Sequence, residues 1–301
     1  MTSNKMNLSA GERIFEIFNY IFMTLFTLVC IYPFYYILIY SLSDVSQAAK
    51  GVYLFPAGFD LSSYSQILAK GDLGHAYFIS VARTVIGTAF CVLASSIFAY
   101  LVTKKEMIFR RFVYRFVIIT MYMSAGLIPW YITLKTYGLR DNFLVYILPG
   151  AVNAFYIILV KTFIEQLPSS MEESAALDGA GFFTTFFKII FPLSKPILAT
   201  IAVYAAVGSW NAWIDNYFLV RSPKLQTVQL ILYKYINDAQ SVADSMRNGE
   251  MSAGGGDVKV SMTPESVRMT ITIMTVIPIM VVYPFLQRYF IKGIMMGAIK
   301  G

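Results

Sequence analysis

Residues 14–42 read IFEIFNYIFMTLFTLVCIYPFYYILIYSL and form one almost uninterrupted apolar run near the start of the chain. A helix needs about 20 such residues to cross the hydrocarbon core of a bilayer. The run is too long for the apolar region of a signal peptide, which has about 7–15 residues. It therefore predicts an uncleaved helix that spans a membrane.

The composition of the whole chain agrees with this prediction. Of its 301 residues, 57% are hydrophobic and 14% are charged, whereas about a quarter of the residues in a soluble domain are charged. The mean hydropathy is +0.61. The net charge of +7 does not indicate nucleic-acid binding, because the basic residues cluster in short loops between apolar runs, as in membrane proteins.

Six segments are long and apolar enough to span a bilayer as helices, and helices are required because lipid offers no partner for backbone polar groups. They cover about 14–42, 77–102, 113–134, 143–165, 196–220 and 267–290. We therefore expect an all-α, multi-pass membrane protein with one transmembrane domain over residues 1–301. Kinks are expected at the prolines in or beside these spans, namely Pro33, Pro129, Pro149 and Pro284.

The distribution of cations predicts the orientation. Five basic residues crowd the link between the second and third spans: Lys104, Lys105, Arg110, Arg111 and Arg115. Such a link is typical of the cytoplasmic side. Both termini and the segment 166–195 are then also cytoplasmic, and the long loops 43–76 and 221–266 lie outside. A flexible tip is expected at Ser252–Asp257, which is rich in glycine.

The residues that enzymes and metal sites require are scarce. The two cysteines, Cys30 and Cys91, lie in apolar runs and favour a packing role, and the only histidine is His75. The sequence contains no phosphate-binding loop of the form G-x-x-x-x-G-K-[ST]. We therefore expect no catalytic residue, no metal site and no bound cofactor in this chain, which disfavours a membrane-embedded enzyme.

The segment that begins at Gln166 reads QLPSSMEESAALDGAGFFTTFFKIIFP and ends at Pro192. Ser170 and Glu173 have the spacing of a capping box, and Gly179 suits a left-handed helix end. The pattern predicts a rigid helix of about two turns. Such a helix can lie in a groove of a partner protein, or it can rest on the lipid head groups as a plain interfacial helix.

This segment resembles the "EAA" loop of bacterial ABC importer permeases, whose pattern is Glu-Ala-Ala, three residues, Gly, nine residues and Ile-x-Leu-Pro. Here Ser174 replaces the first alanine and Phe191 replaces the leucine, while the spacing is kept. The resemblance implies a coupling helix that docks on an ATPase subunit. The residues to which it assigns this role are Glu172, Glu173, Ser174, Ala175, Asp178, Gly179, Ile189 and Pro192.

Further segments are similar to the carbohydrate branch of these permeases, in particular to the shorter subunit of the maltose-type heterodimer. They are Phe55–Tyr64, the pair Trp210–Asn211 and the tail Gln287–Gly301. The resemblance implies several partners: a second, homologous permease, two ATPase subunits that use ATP and Mg²⁺, and an extracytoplasmic solute-binding protein. It also implies a sugar as substrate, most closely an oligosaccharide, since the chain looks similar to permeases of the oligosaccharide and aldouronate type. The implied location is the bacterial cell membrane.

Polar and aromatic residues within the spans are candidates for the substrate pathway, because sugars have apolar faces and polar edges. They are Tyr122, Asn153, Trp210, Asn211, Trp213 and Asp215. The two tryptophans could equally belong to an interfacial aromatic belt, which would place Asp215 near the head groups. Arg83 could extend to the interface or could contact an anionic substrate.

One alternative function remains open at this stage. A transporter driven by an ion gradient would also be multi-pass and apolar. Such transporters usually show inverted repeats and buried ionisable residues, and neither is clear in this sequence.

Overall fold

The computed structural model describes residues 9–69, 73–247 and 263–298, with side chains omitted at 239, 242–247 and 285–298. In chain order the first helices are α1 (Ala10–Ser41), α2 (Val45–Ala48), α3 (Ser62–Ala69), α4 (Leu73–Leu101), α5 (Arg110–Tyr122), α6 (Leu127–Thr136) and α7 (Ala154–Ile164). They are followed by α8 (Ser170–Leu177), α9 (Phe182–Thr185), α10 (Phe191–Leu193), α11 (Lys195–Asn211), α12 (Ile214–Leu219), α13 (Val228–Arg247) and α14 (Pro264–Ala298). Two short 3₁₀ helices cover Phe143–Tyr146 and Pro223–Leu225, and Phe186–Ile190 is a π-helical turn.

The described part of the chain contains helices and no strand, apart from one isolated bridge between Ser43 and Phe59. The all-α prediction is thus confirmed for these residues. Three helices are long and apolar enough to cross a membrane: Ala10–Ser41, Leu73–Leu101 and Pro264–Pro284. They coincide with the predicted spans 14–42, 77–102 and 267–290.

The predicted span 113–134 is two helices rather than one. The chain breaks between Tyr122 and Leu127, where Gly126 has a φ of +82°, a conformation that few other residues adopt. Pro129 lies in the first turn of α6, where its missing N–H costs no helical hydrogen bond. The proline therefore begins a helix here instead of kinking one.

The predicted span 143–165 is also interrupted. It starts with a 3₁₀ turn, continues without regular structure past Pro149 and Gly150, and becomes helical only at Ala154. Asn153 caps this helix: its Oδ1 accepts hydrogen bonds from the N–H groups of Phe155 (2.9 Å) and Tyr156 (3.3 Å). The polar side chain thus satisfies the first backbone donors of α7.

The predicted span 196–220 is divided between α11 and α12 at Ala212, whose backbone is extended, and Trp213, which precedes α12. At its other end this segment continues into the predicted loop 166–195, because Phe182–Leu193 is helical. The two apolar pieces, Phe182–Leu193 and Lys195–Asn211, meet at an angle of 80° and together are apolar and long enough for one span.

The chain divides into two compact units, Met1–Ile67 with Ile236–Met274, and Leu68–Tyr235 with Thr275–Gly301. In the first unit, Ile39, Tyr40, Ala48 and Val52 form a small core. The expected tip at Ser252–Asp257 lies outside the described residues, and much of the predicted loop 221–266 is helix α13. The prediction of one transmembrane domain stays a prediction.

The second unit is built on α4, which packs against α11 and α7. Its main core contains Ala99 and Tyr100 of α4, Ile157, Val160 and Ile164 of α7, Phe186 and Ile190 of the π-helical turn, and Leu198 and Ile201 of α11. A second cluster joins Ile79 of α4 to Leu134 of α6 and Leu219 of α12. These two cores position the two candidate sites described next.

Candidate functional site

Helix α8 is a short rod that is closed at its carboxyl end. The N–H of Ala180 bonds to the carbonyl of Ala175 at 2.9 Å, and the N–H of Gly179 bonds to that of Ala176 at 3.0 Å. This pair of bonds is a Schellman motif, which requires a left-handed residue after the helix. Gly179 supplies it with a φ of +76°, as the sequence predicted.

The amino end of α8 differs from the prediction. Ser169, not Ser170, occupies the N-cap position, and its side chain makes no capping hydrogen bond. Its backbone is already helical (φ −60°, ψ −29°), so its carbonyl accepts from the N–H of Glu173 as in an ordinary helical turn. The predicted capping box between Ser170 and Glu173 is therefore wrong, although the helix dipole still favours the two glutamates in the first turn.

One face of α8 is open and the other is anchored. Ala175 is buried, whereas Glu173, Ser174, Ala176 and Asp178 are exposed. Leu177 is 90% exposed, which is unusual for a large apolar side chain at the end of a well-capped helix. The exposed face therefore offers an apolar tip and a carboxylate to another molecule.

Glu172 points back into the same chain. Its carboxylate is ion-paired with the Nζ of Lys104, in the link between α4 and α5, and both side chains are partly buried. The Lys104 ammonium also lies 4.0 Å from the centre of the Tyr100 ring. Although the resemblance placed Glu172 among the docking residues, its contact here fixes α8 to the end of α4.

Two phenylalanines connect the rod to the core. The ring of Phe182 lies 4.7 Å from that of Tyr100, and the ring of Phe186 lies 5.3 Å from it. Phe186 is 1% exposed. The segment that follows α8 is thus packed on α4 through aromatic rings, in a core that is hardly compressible.

The last two motif residues, Ile189 and Pro192, lie in a π-helical turn and just after it. Ile189 lies in this turn, and its side chain packs against the main core. The N–H of Phe191 bonds to the carbonyl of Phe186, and Pro192 has no N–H to continue the regular pattern. The Ile-x-Phe-Pro end of the motif therefore shapes the backbone just before the 80° bend.

The second site begins with a buried ion pair. The Nη2 of Arg83 lies 2.5 Å from the Oδ2 of Asp215, and its Nη1 donates to the carbonyl of Ala212 at 3.0 Å. Arg83 is 3% exposed, and its guanidinium lies 4.4 Å from the Tyr146 ring. Arg83 therefore neither extends to the interface nor is left free for an anion. It neutralises Asp215 and satisfies a carbonyl that the break after α11 releases.

A buried polar network continues from this pair. Asn216, with 0% exposure, donates to the Tyr146 hydroxyl at 2.6 Å, and its Oδ1 accepts from the N–H of Thr227 at 3.0 Å. The hydroxyl of Tyr146 in turn donates to the carbonyl of Leu225 at 2.6 Å. This network fixes the segment before α13 against α12 and was not predicted, because its residues are far apart in the sequence.

A cavity of about 880 Å³ opens beside the ion pair. It brings together three predicted pathway residues, Asn211, Trp213 and Asp215. Its remaining walls are formed by Met123, Ser124, Ala125, Gly126, Leu127, Pro129, Trp130, Thr133, Leu134, Ala212 and Ile214. The sequence signal for the break between α5 and α6 was Gly126, because glycine is a poor helix former.

The other predicted pathway residues lie elsewhere. Asn153 lines a smaller cavity of about 260 Å³, whose walls also include Arg83 and Asp215. Tyr122 is 79% exposed at the end of α5, and Trp210 is buried with its Nε1 donating to the carbonyl of Thr275 at 3.2 Å. Neither lines the larger cavity.

The cavity walls suit a ligand with apolar faces and hydroxyl edges. Trp130 and Trp213 supply aromatic surface, and the Trp213 ring is held by stacking on Tyr233 at 4.2 Å. Asn211 supplies an amide whose Oδ1 accepts from Gln229 at 3.1 Å. Aromatic rings next to amide and carboxylate groups are the chemistry that carbohydrates require.

Comparison with known proteins shows the family to which the chain is similar. A family model described as the inner membrane component of binding-protein-dependent transport systems matches residues 91–296. The chain is 35% identical over 292 residues to the polygalacturonan/rhamnogalacturonan transport system permease protein YtcP of Bacillus subtilis (strain 168), covering 96% of this chain and 99% of that protein. It is 32% identical over 298 residues to protein LplC of the same organism, covering 98% and 97%.

The fold matches a solved structure of a bacterial ABC transporter involved in the import of the acidic polysaccharide alginate. The TM-score is 0.80 and the sequence identity is 32%. The match covers 95% of this chain and 100% of the chain in that structure. The likeness therefore extends over nearly the whole chain.

Proposed function

This chain belongs to the family of inner membrane components of binding-protein-dependent transport systems, and from this premise we propose that it is a permease subunit of an ATP-driven importer for an oligosaccharide. A second, homologous permease completes the pathway. Two ATPase subunits use ATP and Mg²⁺ on the cytoplasmic side, and a solute-binding protein delivers the sugar from outside. This chain itself binds no cofactor.

The observation that carries the proposal is helix α8. It is a rigid rod with an exposed Leu177 at its tip, closed by the left-handed Gly179. It is joined to the core through Phe182 and Phe186. These are the properties that a part needs in order to carry a motion from a separate ATPase to membrane helices.

The two ends of α4 support the assignment of sides. At its carboxyl end, Lys104 pairs with Glu172 of α8, and at its amino end His75 contacts the carbonyl of Lys224 at 2.7 Å. A helix of 29 residues is about 43 Å long at about 1.5 Å per residue, more than the roughly 30 Å of a bilayer core. We place α8 and both termini in the cytoplasm and the stretch around Lys224 outside.

This assignment keeps six spans. The helices α5 and α6 form a broken third span, the 3₁₀ turn with α7 forms the fourth, and α11 with α12 forms the fifth. Interrupted spans are tolerated where the freed backbone groups are buried in protein or line a cavity. Both conditions hold at Ala212, which Arg83 contacts and which lines the cavity.

For the substrate we propose an oligosaccharide that contains uronate residues. Two of the similar proteins are described as transporting polysaccharides, namely polygalacturonan/rhamnogalacturonan and the acidic polysaccharide alginate. The cavity next to Asp215 does not repel such a substrate, because Arg83 neutralises that carboxylate. The two tryptophans suit the apolar faces of the sugar rings.

The experiment that tests the coupling role compares two exposed leucines in reconstituted vesicles. Leu177→Ser is expected to leave the thermal unfolding temperature unchanged and to reduce ATP-dependent sugar uptake by about tenfold, since an anchor in an interface contributes about 1–2 kcal/mol or more. Leu144→Ser is the control, because Leu144 is 44% exposed and distant from α8 in the sequence. Normal uptake with Leu177→Ser would contradict the docking role.

Two further results would contradict the wider proposal. Sugar accumulation without any ATPase subunit would favour transport driven by an ion gradient. A cysteine placed at exposed Ser174, in a chain lacking Cys30 and Cys91, is expected to react with an impermeant maleimide only in inside-out vesicles. Labelling from the cell exterior would reverse the assignment of sides.

A further inference from the structure

Helix α5 presents an apolar stripe to the outside of the protein. Phe112 is 69% exposed, Phe116 is 58% exposed and Ile119 is 53% exposed. Because they are spaced by four and three residues, these side chains lie on one face of the helix. The rings of Phe112 and Phe116 stack with centroids 6.5 Å apart, so the stripe is continuous.

Two arginines flank this stripe. Arg111 and Arg115 are both exposed and stand one helical turn apart, beside Phe112 and Phe116. Lys105, in the preceding link, is exposed as well. None of these three cations has an ion-pair partner among the residues that the structure describes.

The neighbouring charges do not neutralise this group. Arg110 is turned inward and donates to the carbonyl of Thr103 at 3.1 Å, and Lys104 is occupied by Glu172. The one carboxylate of the link, Glu106, is exposed and balances at most one of the three free cations. The surface around α5 therefore keeps an excess of positive charge.

The turn before α5 adds two more apolar side chains. Ile108 is 79% exposed and Phe109 is 76% exposed, and Phe109 has a φ of +57°. A bulky residue in this left-handed region is rare, because its Cβ crowds the backbone. The chain thus keeps a strained turn whose apolar groups it does not bury itself.

We propose that the segment 105–116 is a binding site for anionic phospholipid in the leaflet that faces α8. Arg111 and Arg115 bind the head-group phosphate, and the phenylalanine stripe lies among the acyl chains. A lipid fits better than a protein partner, because the stripe runs on along a helix that enters the membrane while the cations stay at its end. This is the arrangement of basic and aromatic residues at a bilayer surface.

The identity of the leaflet rests on the proposed function, since only the position of α8 assigns it to the cytoplasm. Lipid binding itself does not rest on that function. The contact between Lys104 and Glu172 places the site beside the coupling helix, so a bound lipid would also steady the link to which α8 is fixed.

The test measures retained lipid on the chain purified from membranes with its co-purifying subunits. Native mass spectrometry is expected to show phosphatidylglycerol bound to the wild type. The variant R111Q/R115Q is expected to lose about 10–30-fold in affinity, as two cations near an anionic surface imply. The variant R111K/R115K, which keeps both charges, is expected to retain most of the binding.

A matched control removes two cations at the other end of α4. The variant K135Q/K224Q changes the net charge equally, and both lysines are exposed. It is expected to bind phosphatidylglycerol as the wild type does, and thermal unfolding should confirm that both double variants are folded. Repeating the measurement with phosphatidylcholine separates a charge-specific site from apolar binding alone.

Several outcomes would overturn the proposal. They are unchanged phosphatidylglycerol binding in R111Q/R115Q, equal loss in the control, equal retention of phosphatidylcholine, or crosslinking of position 112 to another subunit instead of to lipid. ATP-dependent uptake, measured in parallel, keeps the two proposals apart. A chain that retains phosphatidylglycerol but imports no sugar refutes only the importer, whereas normal uptake without retained lipid refutes only the lipid site.

Discussion

The Nη2 of Arg83 lies 2.5 Å from the Oδ2 of Asp215, although the two residues are 132 positions apart in the chain. The pair ties α4 to α12, and its Asp215 borders both cavities, whereas Arg83 borders the smaller one. Arg83 also donates to the carbonyl of Ala212. One side chain therefore stabilises the break between α11 and α12 and neutralises the carboxylate at the cavity wall.

This pair predicts strongly coupled mutations. Arg83→Met leaves Asp215 without its partner and is expected to destabilise the fold by about 3–5 kcal/mol. Asp215→Asn should cost less, because the amide oxygen can still accept from the guanidinium. The double variant should lose less free energy of unfolding than the two single variants lose together. Thermal unfolding of the purified chain measures all three, and strictly additive effects would show that the pair is not coupled.

Gly179 predicts a backbone effect that is separable from side-chain contacts. A Cβ at this position meets nothing within 4 Å, so Gly179→Ala costs only the left-handed conformation, about 1 kcal/mol. Hydrogen exchange in residues 170–177 is expected to accelerate about fivefold. Gly181→Ala is the control, because Gly181 has a φ of −75° and equal free space. Equal acceleration in both variants would contradict the role of the Schellman motif.

The contact between Lys104 and Glu172 predicts a charge-swap rescue. Lys104→Glu places two carboxylates together and is expected to loosen α8 by no more than about 1 kcal/mol, because the pair is partly exposed. Adding Glu172→Lys restores opposite charges and should recover most of the protection against hydrogen exchange. Lys105→Glu, in the same link, is the control. A double variant no better protected than Lys104→Glu alone would argue against the contact.

Asn216 predicts a stability effect at a site that touches no substrate cavity. Asn216→Ala leaves the N–H of Thr227 without its acceptor, which is expected to cost about 1–3 kcal/mol, as for a buried group that loses its partner. Thermal unfolding measures the loss. Asn211→Ala is the comparison, because Asn211 is exposed and should change stability by less than about 0.5 kcal/mol. A neutral Asn216→Ala would show that the network contributes little.

The sequence alone predicted the long helices and the carboxyl end of α8. Apolar length predicted α1, α4 and α14, and the Gly179 position predicted the end of α8, because both depend on local composition. The breaks at Gly126 and Ala212 were missed, since hydropathy does not register which backbone groups find distant partners. Arg83 satisfies Ala212 from another helix, and no window of sequence around residue 212 contains that information.

The candidate cavity was predicted only in part for the same reason. Asn211, Trp213 and Asp215 are close together in the sequence and were found as a polar group in an apolar span. Trp130 was missed because it reaches the cavity only through the break between α5 and α6. Asn153 caps α7, and Trp210 donates a hydrogen bond to the carbonyl of Thr275. Their place in a substrate pathway stays a prediction.

The bend of 80° before α11 limits how a movement of α8 could displace α11. A displacement of Phe182–Leu193 along its own axis is nearly perpendicular to Lys195–Asn211, so it has almost no component that would slide α11 lengthwise. In the proposed mechanism, α11 would instead move sideways. In the proposed importer such a movement would displace the cavity wall most, because Asn211 lies at the far end of α11 and borders the cavity.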